Sequence, residues 1–176
     1  MRAIVRTVLI TLVLVVAVCV VAFLYLRTVG IGTRPAPGPI ERRVANAIRA
    51  LALPREVKTR PNPVPASADA RTRGMEHFAR YCAMCHANDG SGLNAPIAGV
   101  FPPPPDMRSE TTQGLTDGEI FYIIENGVRF TAMPAFGTGK EDPKGEELAW
   151  QLVHFIRHLP QISPDEIAEM KQRNPL

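Results

Sequence analysis

The sequence predicts an all-α protein in which one membrane-spanning helix precedes a small helical domain. Three observations indicate this fold class. An uncharged apolar run extends from Val8 to Leu26. Residues 145–159 carry apolar side chains at helical spacing. Residues 115–127 begin with a helix-capping pattern and end at a glycine, which predicts a second domain helix.

The N-terminal segment, residues 1–27, is predicted to be an uncleaved signal anchor. Its apolar run, at about 1.5 Å per helical residue, spans about 28 Å and is long enough for one membrane crossing. Arg2 and Arg6 precede the run, as in a secretory signal. The run exceeds a usual signal core and no good Ala-x-Ala site follows it, so a cleaved signal peptide is the alternative. Cys19 is interpreted as a small apolar residue in lipid.

Residues 28–66 are predicted to form a basic, proline-rich linker that contains one amphipathic helix at about 40–53. Four apolar residues lie on one face of that helix: Ile40, Val44, Ile48 and Leu51. Such a basic amphipathic helix suits an anionic lipid surface or a membrane partner. An arginine-rich solvated spacer is equally compatible with the sequence, which leaves the three interpretations open.

Charge is divided unevenly along the chain. The whole chain carries +3, but residues 27–66 carry +6 and residues 67–176 carry −5. A soluble partner of the acidic part is therefore predicted to present basic residues. No nucleic-acid partner is predicted.

Residues 82–86 form a Cys-x-x-Cys-His motif, which has three chemical interpretations. A structural zinc site needs four ligands, and the third cysteine lies in the predicted membrane helix. A redox dithiol belongs in a strand–helix context, whereas the sequence before Cys82 is helical. Covalent haem uses all three residues: Cys82 and Cys85 form thioethers to the vinyl groups and His86 binds the iron. The haem interpretation is favoured.

A second iron ligand is predicted at Met133, in the glycine-bounded loop 127–137. A thioether is a soft, uncharged ligand, and Pro134 stiffens the loop beside it. Packing in the core is the alternative role for Met133. The methionines predicted to be packing or surface residues are Met75, Met84, Met107 and Met170, and the same holds for His77, His154 and His158.

On these motifs, residues 69–160 resemble a class I cytochrome c domain of the small, membrane-anchored bacterial kind. The family places a glycine and an aromatic residue before the first cysteine, and Gly74 and Phe78 match them. The resemblance implies a small cytochrome c fold over residues 67–161, followed by a tail at 162–176. It also implies that the first helix of this domain, which contains Gly74, crosses the helix at 145–159 at that glycine. Trp150 is expected to pack at the edge of the crossing. The apolar stripe of the C-terminal helix is Leu148, Leu152, Phe155 and Leu159. The sequence departs from the family at Ala87, where glycine is usual.

The middle of the domain completes the predicted site. The helix at 115–127 is expected to cover one side of the haem, with Ile120, Ile123 and Ile124 facing inward. The resemblance assigns Pro96 a carbonyl that orients the His86 ring. Arg108 and Arg129 are the basic residues predicted to meet the haem propionates, with ordinary solvated arginines as the alternative.

The predicted site has no open iron position, so the resemblance implies one-electron transfer by one covalently attached haem c rather than enzyme catalysis. The leading hypothesis is a membrane-tethered carrier in a respiratory or related electron-transport chain. Its expected partners are redox proteins or a membrane respiratory complex, with lipid contacts through the N-terminal helix. The alternatives are a fixed relay subunit of a membrane oxidoreductase and a haem sensor in which Met133 is labile.

Orientation in the membrane involves two conflicting signals. Four arginines, Arg27, Arg34, Arg42 and Arg43, follow the apolar run, against two before it, which favours a cytoplasmic domain by the positive-inside rule. The family attaches its haem outside the cytoplasmic membrane, and this argument is given more weight. The predicted location is the cytoplasmic membrane of a bacterium, with one crossing and the haem domain on the periplasmic side.

Overall fold

The computed structural model describes residues 2–30, 32–33 and 35–174. Arg34 of the orientation argument and the last two residues of the predicted tail lie outside this range. Within the described residues every regular element is helical, so the all-α prediction is confirmed. The chain divides into two compact units, Met1–Pro35 and Ala36–Leu176.

The first unit is the helix α1, Arg2–Val29, which has 28 residues and no buried side chain. Among the described helices it is the one whose length and apolar composition suit a membrane crossing. A helix of this length measures about 42 Å, which exceeds the hydrocarbon core of a typical bilayer. It is compatible with a single-pass anchor.

The second unit contains the remaining helices, which are α2 Pro39–Ala52, α3 Arg55–Lys58, α4 Ala68–His77, α5 Ala83–His86, α6 Glu110–Gln113, α7 Asp117–Asn126, α8 Pro143–His158 and α9 Pro164–Arg173. A π-helical turn, Phe78–Cys82, joins α4 to α5. A 3₁₀ turn, Leu159–Gln161, extends α8. The core lies where α4, α7 and α8 pack together.

The close crossing of α4 and α8 at Gly74 is confirmed. A Cβ atom at Gly74 would lie 2.8 Å from the backbone carbon of Gln151 and 2.9 Å from Cβ of Phe155. One turn further on, the rings of Phe78 and Phe155 are 5.2 Å apart, and both side chains are fully buried. Only glycine allows the two backbones to approach this closely.

Replacing Gly74 with alanine is expected to destabilise the domain by about 2–3 kcal/mol, because the added carbon overpacks the crossing. Alanine's better helix propensity, worth about 1 kcal/mol, offsets only part of this cost. Denaturant unfolding measures the difference. Gly38→Ala is the control, since nothing lies within 4 Å of its added Cβ. Equal stability of the Gly74→Ala variant and the unmodified chain would contradict the crossing.

Helix α7 begins and ends where the sequence predicts. Thr116 Oγ1 accepts from the Glu119 amide at 3.3 Å, and the Thr116 amide donates to the Glu119 carboxylate at 2.8 Å. Gly127 ends the helix with a φ of 65°. This reciprocal capping satisfies two of the amide groups that a helix start leaves without partners.

The inward face of α7 differs in part from the prediction. Ile120 and Ile124 are buried as expected, but Ile123 is only half-buried and Phe121 is buried in its place. The Phe121 ring stacks on Trp150 of α8 at 4.0 Å and 8°. Helix α7 is covered by both α8 and α3, so its buried face is displaced round the helix and includes Phe121. Trp150 therefore lies in the α7–α8 contact rather than at the edge of the α4–α8 crossing.

The predicted stripe of α8 is buried at Leu152, Phe155 and Leu159, but Leu148 remains 39% exposed. The crossing with α4 is centred on Gln151 and Phe155, and Leu148 lies on the N-terminal side of it. The prediction for Leu148 as a core residue is therefore wrong.

The folded unit begins earlier than the predicted boundary at residue 67. Residues 53–64, here called the strap, pack against α7 and α8. The Asn62 amide donates to the Trp150 carbonyl at 3.1 Å, and the His154 ring contacts the Val64 carbonyl at 2.8 Å. The Arg60 guanidinium lies 4.6 Å from the centre of the Phe121 ring. Part of the predicted linker thus belongs to the domain.

The predicted tail at 162–176 also packs on the domain. Ser163 and Glu166 cap the start of α9 reciprocally, with bonds of 2.8 and 3.2 Å. Met170 is fully buried in the core, and Arg173 pairs with Glu76 of α4 at 2.9 Å. The domain therefore extends through α9, beyond the predicted end at residue 161.

Candidate functional site

The Cys-x-x-Cys-His motif lies at the end of the helix that the Gly74 crossing fixes. Helix α4 continues through the π-helical turn into α5, and the Ala83 amide bonds to the Phe78 carbonyl in the wide π geometry. Phe78 and Ala83 are buried in the core, so the motif lies directly beside the core. π-helical turns are rare and frequently mark functional sites.

Cys82 and Cys85 are free thiols, and both are partly exposed. Burial raises the pKa of Cys82 to about 12, and the neighbouring Cys85 contributes in the same direction. The Cys82 thiol is therefore protonated at neutral pH. A redox dithiol needs a nucleophilic cysteine with a lowered pKa, so this environment disfavours the dithiol interpretation.

His86 is buried, with 8% of its surface exposed. Burial lowers the pKa of the imidazole to about 4, although the backbone carbonyl of Pro105 acts in the opposite direction. The ring is neutral at pH 7 and keeps a lone pair available for a metal. Its Nδ1 atom is buried without a hydrogen-bond partner among the described residues. The Pro105 carbonyl lies near the ring without completing a hydrogen bond to Nδ1. A histidine that binds a metal through one ring nitrogen commonly directs the other nitrogen to such a carbonyl, so this arrangement fits a metal-binding ring.

Pro105 lies beside the His86 ring. Pro96 is exposed, whereas the Pro105 carbonyl is close enough to favour the protonated ring. The loop that follows α5 folds back, so that its last residues lie beside its first. There the Met107 amide donates to the Gly90 carbonyl at 2.8 Å. This return brings Pro105 towards the histidine. Pro105 is therefore a second proline near the His86 ring, and the orienting role that the resemblance gave to Pro96 stays a prediction.

Ala87, the position where the sequence departs from the family, has a backbone that glycine adopts more easily. Its φ is 60° and its ψ is 161°, and the residue is buried. The Ala87 amide still bonds to the Ala83 carbonyl at 2.9 Å, so the turn forms despite the side chain. Such a conformation costs about 1–3 kcal/mol in a residue other than glycine.

Ala87→Gly is expected to stabilise the domain by about 1 kcal/mol, because relief of this strain exceeds the entropy cost of glycine in the unfolded chain. For a domain of this size, the midpoint of thermal unfolding should rise by about 3–6 °C. Ala149→Gly, in the buried interior of α8, is the control and should lower the midpoint. A lower midpoint for Ala87→Gly would contradict the strained turn.

Arg108, a predicted propionate contact, is already paired with two carboxylates. Its guanidinium donates to Asp106 at 2.9 and 3.0 Å and to Asp89 at 3.1 Å. These hydrogen bonds from Arg108 lower the pKa of Asp106. The cluster ties the turn after His86 to the end of the following loop. Arg129 is exposed and makes no ion pair within the described part of the chain.

The loop that carries Met133 closes on the end of α7. A Cβ atom at Gly127 would lie 2.6 Å from the Ala135 nitrogen and 2.8 Å from the Met133 carbonyl oxygen. Beyond the methionine, the Phe136 amide donates to the Ile124 carbonyl at 3.1 Å. Met133 therefore projects from a loop whose two ends are both fixed to α7.

Local hydrogen bonds also shape the turn before Met133. The Met133 carbonyl accepts from the Val128 amide at 3.1 Å, and the Met133 amide donates to Thr131 Oγ1 at 3.1 Å. Thr131 Oγ1 in turn donates to the Val128 carbonyl at 2.8 Å. None of these contacts involves the methionine side chain, so the sulfur is free to bind another group.

Met133 differs from the methionines of the core. Met75, Met107 and Met170 are buried, whereas Met133 is partly exposed and lies outside the core cluster. Met84 is also partly exposed, but it lies two residues before His86 on the same short helix. Among the described methionines, Met133 is the one that is both partly exposed and outside a helix.

The remaining histidines each have a neighbour outside this site. His154 contacts the strap, His158 pairs with Glu166 of α9 at 2.9 Å, and the His77 ring lies 4.8 Å from that of Tyr81. Their predicted packing roles agree with these contacts. No group of three or more His, Cys, Asp or Glu residues suited to a metal ion occurs within the described residues.

Two free thiols and a buried neutral imidazole on one continuous helical segment fit the attachment of covalent haem. In comparison with known families, residues 69–156, half of the chain, match the family described as "Cytochrome C oxidase, cbb3-type, subunit III". The matched segment includes Cys82, Cys85, His86 and Met133. A comparison with curated proteins gave no match.

The helical fold and this site define a c-type cytochrome. The chain belongs to the cbb3-type subunit III cytochrome family, and with α1 it is a membrane-anchored member of the cytochrome c class. Family membership implies haem binding and electron transfer.

Proposed function

We propose that this protein is a membrane-tethered electron carrier in which Cys82 and Cys85 would hold one haem through thioethers, and His86 and Met133 would bind its iron. The observation that carries the proposal is the His86 ring, which is buried and neutral one helical turn after Cys82. Bound haem supplies reversible one-electron chemistry.

The residues of the chain determine how that chemistry is used. If His86 and Met133 both bound the iron, no iron position would be open to a substrate, and the chemistry that the haem would supply is electron transfer. Met133 is a soft, neutral donor, which favours the reduced iron and raises the potential relative to a second histidine. The buried rings of Phe78 and Phe155 support the α4–α8 crossing that fixes the motif. The fixed ends of the Met133 loop favour a stable ligand over the labile one that a haem sensor needs.

In the proposed setting, α1 anchors the protein in the cytoplasmic membrane of a bacterium, with the haem domain on the periplasmic side. Redox proteins or a membrane respiratory complex exchange electrons with it. A fixed relay subunit is the second candidate, because the matching family's description names a subunit of an oxidase. Purification in mild detergent distinguishes the two: a carrier is isolated alone, and a relay subunit with its complex.

Salt dependence provides a second test of the same distinction. Because residues 67–176 carry a net charge of −5, reduction of a soluble basic acceptor by the carrier should slow as ionic strength rises. The Debye length is about 8 Å at physiological salt, so charges on the two proteins attract each other less as salt is added. The rate should therefore decline as ionic strength is raised to physiological values. Stopped-flow oxidation of the reduced full chain measures the rate. Rates that rise steadily with salt would contradict an acidic docking face, whereas fast, salt-independent transfer within a purified complex would favour the relay subunit.

A further inference from the structure

Helix α2 presents an apolar row that no described part of the chain covers. Ile40, Val44, Ile48 and Leu51 are 77%, 51%, 60% and 86% exposed. They are spaced so that they share one face of the helix, and α2 has no buried residue. Leu53, immediately after the helix, is buried. The domain therefore covers the chain at the end of α2 but leaves the apolar row exposed.

The rest of α2 is basic. By helical spacing, Arg42 and Arg49 lie opposite the apolar row and Arg43 lies at its side. Glu41 is the one acidic residue of this helix. No ion pair within the described residues involves these arginines. A solvated spacer has no need of an aligned apolar row. A row of this kind beside a cationic face is typical of helices that lie flat in the interface of an anionic membrane.

The position of α2 in the chain identifies the surface that it meets. Residues 30–38 separate the end of α1 at Val29 from the start of α2 at Pro39. Nine residues extend at most about 30 Å, so an anchored α1 keeps α2 within that distance of the bilayer. Lipid is therefore present at high effective concentration, whereas a second protein has to be recruited.

We propose that α2 lies in the headgroup region of an anionic leaflet, with its apolar row in the lipid and its arginines near the phosphates. Only Leu53 and Pro54 separate α2 from α3. The strap is bound to α8 by the contacts of Asn62 and Val64, and to α7 by Arg60 over the Phe121 ring. A membrane-bound α2 therefore restricts the orientation of the whole domain. The proposal is independent of the haem ligands.

The test uses the full chain, one copy per nanodisc, with Cys19→Ser as background. A nitroxide label is placed at Val44→Cys on the apolar row or at Asn46→Cys on the opposite face. The Cys19→Ser chain without either substitution is labelled in the same way and provides the blank for signal from Cys82 and Cys85. Discs contain phosphatidylcholine alone or mixed with phosphatidylglycerol. In the mixed discs, the ratio of collisions with oxygen to collisions with a water-soluble nickel chelate should be several-fold higher at position 44 than at 46. In phosphatidylcholine alone, the ratio at 44 should fall.

Charge variants test the role of the arginines. Arg42→Gln with Arg43→Gln should lower the ratio at position 44 in mixed discs to the value seen without anionic lipid. Arg71→Gln with Lys171→Gln removes the same charge from exposed positions outside α2 and should have no such effect. Equal nickel accessibility at positions 44 and 46 would overturn the proposal in favour of a solvated spacer. Shielding of position 44 from both reagents would overturn it in favour of a protein partner, and equal immersion in both disc types would overturn the selection of anionic lipid.

Discussion

Replacing both Cys82 and Cys85 with alanine is expected to abolish covalent haem attachment. Both thiols are free and partly exposed beside the buried His86, and each thioether requires one of them. Haem staining of the protein after a denaturing gel should fall to background. A single replacement should retain attachment through the remaining thiol, at a reduced yield.

Cys19→Ala is the matched control for this experiment, because it removes the third cysteine of the chain from α1 and leaves the motif intact. It should retain full staining. Staining that persists in the double variant would contradict the assignment of the motif. The membrane fraction should contain every variant in comparable amount, so that loss of staining reports attachment rather than loss of protein.

Met133→Ala is expected to convert the haem from closed six-coordinate to ligand-accessible iron. The long-wavelength absorption that arises from charge transfer between sulfur and iron should disappear, and added carbon monoxide or imidazole should bind. The midpoint potential should fall by at least about 59 mV, which is a tenfold change in a one-electron equilibrium. Far-ultraviolet circular dichroism should be unchanged, because the bonds that close the loop come from its backbone and from Thr131.

Met84→Leu is the control for Met133→Ala, since Met84 is the other partly exposed methionine of the domain. It should retain both the charge-transfer absorption and the potential. If Met133→Ala leaves the spectrum intact and Met84→Leu changes it, the ligand assignment is wrong. If neither variant changes the spectrum, another residue holds the sixth position.

Sequence alone predicted the elements whose signals are local. The capping box and terminal glycine of α7 and most of the α8 stripe appear in the structure where the pattern placed them. The crossing at Gly74 came from resemblance, because the sequence does not show which backbone approaches a given glycine. Periodicity also failed to place Phe121 and Trp150, whose burial depends on the strap as a third packing partner.

The strap and α9 were missed for different reasons. The strap is bound through the Val64 carbonyl and through single side chains such as Arg60 and Asn62, and these contacts form no periodic pattern in the sequence. Helix α9 did have a readable signal, since Ser163 and Glu166 form a capping box followed by Ile167 and Met170 at helical spacing. The position of Pro105 near His86 depends on where a long loop returns to α5, which the sequence does not determine.

The central claim is that this chain holds one haem through both cysteines of its motif. The most direct measurement is a pyridine haemochrome spectrum of the purified full chain, combined with its reduced-minus-oxidised spectrum and a protein assay. The account predicts one haem per chain, with the absorption of a haem whose two vinyl groups have become thioethers and with reversible reduction in a low-spin state. Haem with intact vinyl groups, or protein purified without haem, would contradict the account.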